Sequence, residues 1–322
     1  MRPFVPFVAN PHVLTVAASF WPRKLDVERY PVDAVLFETE PGVQILVHAQ
    51  QPQGPPLGDF VLVHGLEGSS ASGYMRSLAQ QALAAGYAVH RFNMRNCGGA
   101  PLTPTVYNAG LTSDLLAYII DLDRRRRTPV FLVGFSLGGN LVLKLAGELG
   151  EDADRLIAGV CAVSTPIDLG AACRYIGRPG NRLYEWRFVR SMRARVRETN
   201  GLFPGFFPVA ELDAIKSLYD FDDRVTGPLS GFRDAEHYYG TQSAVHFLDR
   251  IRIPALLIQA QDDPMIPFSI YSAPAIAANP RIRLLTTPHG GHMGFISRSH
   301  PRFWLDETVV AWVQNACVVR IS

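Results

Sequence analysis

The sharpest chemical signal in the chain is the run Val130-Phe-Leu-Val-Gly134-Phe135-Ser136-Leu137-Gly138-Gly139-Asn140. It sets a serine in a G-x-S-x-G frame between an apolar strand and a helical run. A tight strand-to-helix turn lifts such a hydroxyl above a sheet, where it can act as a nucleophile. Gly134 and Gly138 leave room in the turn, because a Cβ at either place would press on neighbouring backbone. The helix opening at Leu137 points its N–H groups toward negative charge as it develops.

A nucleophilic serine needs a base, an acid to orient the base, and donors for the oxyanion. His292 lies in the glycine-rich stretch Thr287-Pro-His289-Gly290-Gly291-His292-Met-Gly294, which can fold an imidazole over the serine. His289 is the competing base and suits a turn or surface role better. Asp262 and Asp263 follow the apolar run Ala255–Ala260, and one carboxylate suffices to orient a histidine. His64-Gly65-Leu66-Glu67-Gly68-Ser69-Ser70 follows Phe60–Val63, so the backbone N–H groups of Leu66 and Leu137 are the candidate oxyanion donors. His64, directly after a strand, reads as a residue that holds this loop in shape.

Other chemistries fit less well. Gly68 and Ser69 lack the following lysine of a phosphate loop. The histidines at 289 and 292 sit in a glycine loop, with no H-E-x-x-H on a helix, and a metal would leave the serine turn unexplained. No cofactor and no metal are expected.

The elements that would position these residues alternate along the chain. Val35–Glu38 and Val43–Ala49 read as an antiparallel opening pair. Strands follow at Phe60–Val63, Tyr87–Phe92, Val130–Gly134, Leu156–Val163, Ala255–Ala260 and Ile282–Thr286. Helices are predicted at Tyr74–Ala85, Leu111–Arg127, Leu137–Leu149 and Phe303–Val318. This alternation predicts an α/β fold with a mostly parallel, doubly wound sheet. The rhythm breaks after Val163. A structureless loop of that length is improbable, so 164–249 is expected to be a mainly helical lid or cap inserted into a core made of 1–163 and 250–322.

Composition bounds the rest. The 322 residues are 48% hydrophobic, enough for a sizeable core. A net charge of +2, from 31 basic against 29 acidic residues, makes no case for nucleic-acid binding. Cys97, Cys161, Cys173 and Cys317 fit neither a zinc ribbon nor a disulfide framework and read as free buried thiols. The chain opens without a secretion-signal pattern, and no stretch is apolar enough to span a membrane; a soluble, cytoplasmic protein is expected. Arg124–Arg127 suit the negative end of a helix. Arg187, Arg190, Arg193, Arg195 and Arg197 do not share one helix face, which counts against a membrane-surface helix and leaves peripheral contact open. Leu202–Pro208 is apolar and a candidate wall for an acyl channel.

The chain resembles the YheT-like branch of the α/β-hydrolase family, which includes the ABHD1, ABHD2 and ABHD3 types. The marks are HGLEGSS at 64–70, FNMRNCGG at 92–99, GFSLGGN at 134–140, STPIDL at 164–169, YDFDDRVTGPLSGFRDAEHYY at 219–239, QDDPMIP at 261–267 and GGHMGF at 290–295. They run through nearly the whole chain. The resemblance implies an α/β-hydrolase fold and a charge relay of Ser136, Asp263 and His292, in the chain order of that fold. It prefers Asp263 over Asp262, four residues before Pro267. Asn96 stands where relatives carry glycine. The implied function is a carboxylesterase-like serine hydrolase of lipid metabolism, cleaving a small or medium-chain acyl ester through an acyl-enzyme. An acyl-CoA or ester:alcohol acyltransferase, or a non-enzymatic interaction protein on the same scaffold, are the alternatives. Oligomeric state is left open.

Overall fold

The computed structural model describes residues 3–321, with side chains through Ala316. Eight strands form one sheet: β1 (Asp33–Glu40), β2 (Val43–Gln50), β3 (Asp59–Val63), β4 (Ala88–Phe92), β5 (Val130–Phe135), β6 (Gly159–Val163), β7 (Ala255–Ala260) and β8 (Ile282–Thr287). Their order across the sheet is β1-β2-β4-β3-β5-β6-β7-β8. β2 runs antiparallel to both β1 and β4, and every other pairing is parallel.

Every residue of β3, β4, β5, β6 and β7 is buried. Both faces of these central strands are covered, which is why they read as continuous apolar runs rather than as alternation. Successive residues feed opposite cores. Val61, Val63, Leu132 and Leu257 join one core with α3 (Thr112–Arg126) and α4 (Leu137–Leu149). Phe60, Leu62, Phe131, Val133 and Leu256 join the other with α2 (Gly73–Ala84) and the final helix Trp304–Ile321. Each fully buried Leu, Val or Phe contributes about 1.5–3 kcal/mol.

The strand order reverses at β3. The chain leaves β3 for β4 on one side and returns through α3 to β5 on the other. Backbone loops part at such a switch point, and the crevice beyond the strand ends is where α/β folds bind ligands.

Between β6 and β7 the chain is helical, with short turns and no strand among the described residues. α5 (Leu169–Ile176) and the long α6 (Arg182–Leu202) are its main elements, with a further helix at Ala235–Gln242. Val189, Met192 and Val196 bury one face of α6. An N-terminal helix, α1 (Pro11–Phe20), is capped by Asn10, whose side chain accepts the Val13 N–H, with Pro11 in its first turn.

Two expectations shift. β6 begins at Gly159, because Gly150–Arg155 winds into a 3-10 turn first. The arginine run serves fixed partners as well as the helix end: Arg125 pairs with Asp121, and Arg126 Nε lies 2.9 Å from Asp59 on β3. Cys97, Cys161 and Cys173 are free and buried, and burial pushes the Cys97 thiol up to about 12. The Cys317 side chain lies outside the described residues. Among the described residues no helix is long and apolar enough to cross a membrane.

Candidate active site

Ser136 sits in the turn between β5 and α4 with φ +50°, a strained conformation for a residue with a side chain. Its N–H donates to Val163 O at 2.8 Å on the neighbouring strand, which fixes the turn. The two glycines are needed for space. A Cβ on Gly134 would lie closer than 3.0 Å to the Gly138 carbonyl, and one on Gly138 would lie 2.5 Å from the carbonyl oxygens of Val63 and His64.

The loops after β7 and β8 bring the other predicted groups to this hydroxyl. His292 Nε2 is 3.0 Å from Ser136 Oγ, and His292 Nδ1 is 2.9 Å from Asp263 Oδ2. With the Nδ1 proton donated to the carboxylate, Nε2 is left to accept from the serine. Asp263 is buried and its other bonds are satisfied. Oδ1 accepts the N–H groups of Met265 and Ile266 at 2.8 and 3.1 Å, and Gln259 Nε2 donates to Oδ2 at 3.2 Å. Asp262 faces elsewhere, accepting the Gly291 N–H and pairing with His289 Nδ1 at 3.0 Å. Asp262 and His289 thus brace the outside of the His292 loop.

The loop after β3 packs directly on the serine. A Cβ on Gly65 would lie 3.0 Å from Ser136 Cβ. Leu66 and Leu137 line one cavity together with Ser136 and His292. The N–H of Leu66 has no acceptor among the described residues, and that of Leu137 belongs to the open first turn of α4.

His64 holds this loop from within. Its Nδ1 lies 2.8 Å from Gly65 O, and its Nε2 accepts the Met94 N–H at 3.1 Å. Full burial pushes its pKa down to about 4, so the ring is neutral at neutral pH. Asn96 takes φ +60° and turns its amide inward onto the carbonyls of Thr103 and Thr105. Those two bonds hold the left-handed turn with a side chain in place.

Two cavities meet at Ser136 and His292. One, about 100 Å³, is largely apolar, lined by Ile176, Phe188, Met192, Phe206, Phe221 and Ile266 among others. The other, about 450 Å³, is more polar and runs out between α1 and α6 past Ser19, Tyr184, Arg187 and Ser191. Of the apolar segment 202–208, only Phe206 lines either cavity; Phe207 is buried in the core and Leu202 faces solvent.

The roles of several supporting residues carried no signal in the sequence. Thr15 Oγ1 accepts the His292 N–H at 2.8 Å, and Ser164 Oγ accepts the Met293 N–H at 3.1 Å. Glu67, at φ +54°, accepts from Tyr107, Ser191 and Arg195, tying α6 to the loop after β3. The acids Asp220, Asp222 and Asp223 divide by partner. Asp220 forms a capping box with Ser217, and Asp223 accepts the Ala235 N–H. Asp222 is buried with no ion pair among the described residues, its carboxylate accepting from Tyr239 at 2.7 Å, and burial raises its pKa to about 6.

Residues 60–299 match the family described as alpha/beta hydrolase fold. The chain belongs to that family. It is 32% identical over 260 residues to a putative esterase, YheT, of Escherichia coli, covering 79% of this chain and 76% of that one. It is 32% identical over 315 residues to a monoacylglycerol lipase of Saccharomyces cerevisiae, covering 91% of this chain and 68% of that one. A mouse phospholipase, ABHD3, is 28% identical over 260 residues, covering 79% and 63%. These relatives put the α/β-hydrolase described here in the YheT-like and ABHD-like branch of enzymes. Among solved structures, an esterase of Pyrococcus furiosus superposes with a TM-score of 0.62 at 18% identity, covering 98% of this chain and 99% of that one. That likeness is one of fold.

Proposed function

We propose that this α/β-hydrolase cleaves carboxylic esters through a covalent acyl–Ser136 intermediate. The observation that carries the reading is the continuous line from Asp263 through His292 to Ser136, with spacings of 2.9 and 3.0 Å, ending where two cavities meet. The names of the relatives, esterase and lipase, support the same class of bond.

In this mechanism His292 Nε2 takes the Ser136 proton as Oγ attacks the ester carbonyl. The carbonyl oxygen becomes an oxyanion held by the N–H groups of Leu66 and Leu137. Asp263 keeps the imidazole in the tautomer that accepts at Nε2 and stabilises the imidazolium that forms. His292 then protonates the departing alcohol as the carbonyl re-forms. Water, deprotonated by His292, attacks the acyl carbonyl; the bond from that carbon to Ser136 Oγ breaks, Oγ takes the proton back from His292, and the acid leaves.

The cavities suggest how a substrate lies. The narrow apolar cavity suits a small or medium acyl chain, and the wider polar one suits the alcohol and then water. The helical segment 164–249 acts as the cap that closes over the acyl chain, since Phe188, Met192 and Phe221 come from it. An alcohol entering by the polar cavity in place of water would give acyl transfer. Three buried thiols fit a reducing, cytoplasmic location.

A series of p-nitrophenyl esters with short, medium and long acyl chains tests this reading. Wild-type protein is expected to turn over the shorter members, and folded Ser136→Ala protein to lose about 10³-fold or more in kcat. Equal turnover by a folded S136A protein rejects it. Adding ethanol and measuring free acid against ethyl ester separates hydrolysis from transfer.

A further inference from the structure

The arginines of α6 fall into two sets. Arg195 turns inward to Glu67, and Arg193 and Arg197 both pair with Asp213. Arg187 and Arg190 stay on the outer face of the first half of the helix, where no acid pairs with them among the described residues. Leu183, Trp186, Arg187 and Arg190 follow the spacing of one helical face and are all exposed. Trp186 is 55% and Leu183 70% exposed, and the Arg190 guanidinium lies 5.3 Å from the Trp186 ring centre. Arg182 adds a further exposed positive charge at the start of α6, where the helix dipole disfavours it. Glu185, the acid of this turn, is partly buried and accepts the Leu218 N–H.

α1 presents a matching face. Val13, Val16 and Phe20 point outward at helical spacing, and Phe20 is 76% exposed. The two helices adjoin: His12 stacks on Tyr184, and His12 Nδ1 lies 3.1 Å from the Tyr184 hydroxyl. Between them opens the polar cavity that reaches Ser136 and His292, lined by Val16 and Phe20 on one side and Tyr184 and Arg187 on the other.

We propose that this rim of α1 and α6 is a docking surface for an anionic lipid bilayer. Exposed apolar side chains clustered around one opening, with a tryptophan and unpaired arginines, match the interfacial zone of a bilayer, which takes apolar groups and attracts cations. Charge complementarity selects an anionic surface over a neutral one. Docked there, the polar mouth faces the lipid, so an ester dissolved in the bilayer reaches the serine without crossing water. The docking surface goes beyond the ester-hydrolase reading, and binding does not depend on turnover.

Vesicle flotation tests it. The probes are vesicles of phosphatidylcholine alone and of phosphatidylcholine with phosphatidylglycerol, at low and high salt. Wild-type and Ser136→Ala protein are both expected to float with the anionic vesicles at low salt and to be released at high salt. Arg182→Gln/Arg190→Gln is expected to lose on the order of twentyfold in partition coefficient, about fivefold per charge. Leu183→Ser/Trp186→Ser is expected to lose binding as well, and both double variants to keep wild-type turnover of a water-soluble short ester. Three results overturn the proposal: no flotation with anionic vesicles at low salt, equal flotation of wild type and both double variants, or self-association without lipid that Leu183→Ser/Trp186→Ser abolishes. Loss of ester turnover in wild type with flotation intact would overturn the hydrolase reading alone.

Discussion

Thr15 Oγ1 accepts the backbone N–H of His292 at 2.8 Å, joining residues 277 positions apart in the chain. Thr15 also donates to Pro11 O at 2.7 Å, so its hydroxyl is held inside α1 while it holds the histidine loop. Gly291 makes the approach possible, because a Cβ there would lie 2.5 Å from Pro11 O. The N-terminal helix is therefore a structural part of the site. Replacing Thr15 with Val keeps the shape and leaves a buried N–H without an acceptor. We expect a loss of about 1–2 kcal/mol in stability and roughly tenfold in kcat/KM, with the larger share in kcat. Denaturant melts and ester kinetics on the same preparation check both.

The turn around Ser136 tolerates no added atom at Gly134. Gly134→Ala is expected to cost about 4 kcal/mol or to prevent folding, because the clash is with backbone rather than with a side chain that can move. Gly201 in α6 is the control, since nothing lies within 4 Å of a Cβ there. Gly201→Ala is expected to raise stability by up to about 1 kcal/mol through helix propensity. Urea midpoints of the two variants should move in opposite directions.

His64 makes stability depend on pH in a predictable window. Its folded pKa, pushed down to about 4 by burial, lies below the ordinary histidine value of 6.5. As pH falls through 6.5 the unfolded chain takes up a proton that the folded chain refuses, so stability declines. The decline ends near pH 4, where the folded ring also protonates, and totals about 3 kcal/mol. Protonation also removes the acceptor for the Met94 N–H. His64→Gln keeps that acceptor and is expected to flatten this part of the profile, as read from urea melts between pH 4 and 7.

Asp222 works in the opposite sense. Its folded pKa is raised to about 6 from 3.8 by burial, so the charged form burdens the fold above pH 6. Stability contributed by this group rises as pH falls from about 6 to 3.8, then levels. Asp222→Asn can still accept from Tyr239 and carries no charge. It is expected to be more stable than wild type by about 2–3 kcal/mol at pH 8, with the difference vanishing near pH 4. Thermal melts at the two pH values give the comparison.

The sequence carried the reacting groups and the strands beneath them because each leaves a local mark. A buried parallel strand is a continuous apolar run, and Ser136 stands between such a run and a helix with a glycine two places to either side. Asp263 and Asp262 were separable by resemblance alone, since neighbouring side chains leave no trace of which one turns inward. Thr15, Gln259, Glu67 and Arg195 act only through contacts made by distant parts of the chain, and a single hydroxyl or amide in an ordinary run has no pattern to read. The division of the α6 arginines had the same cause. Spacing showed that they do not share one face, while the positions of Glu67 and Asp213, which sort them into inward and outward sets, depend on the fold.

The central claim is that the Ser136 oxygen is the nucleophile. Labelling the folded protein with a fluorophosphonate and mapping the modified peptide by mass spectrometry tests it most directly. We predict one stoichiometric adduct, on the peptide that contains Ser136, which fails to form in Ser136→Ala and forms far more slowly in His292→Ala. An adduct at another residue, or turnover that persists after Ser136 is fully blocked, would contradict the account.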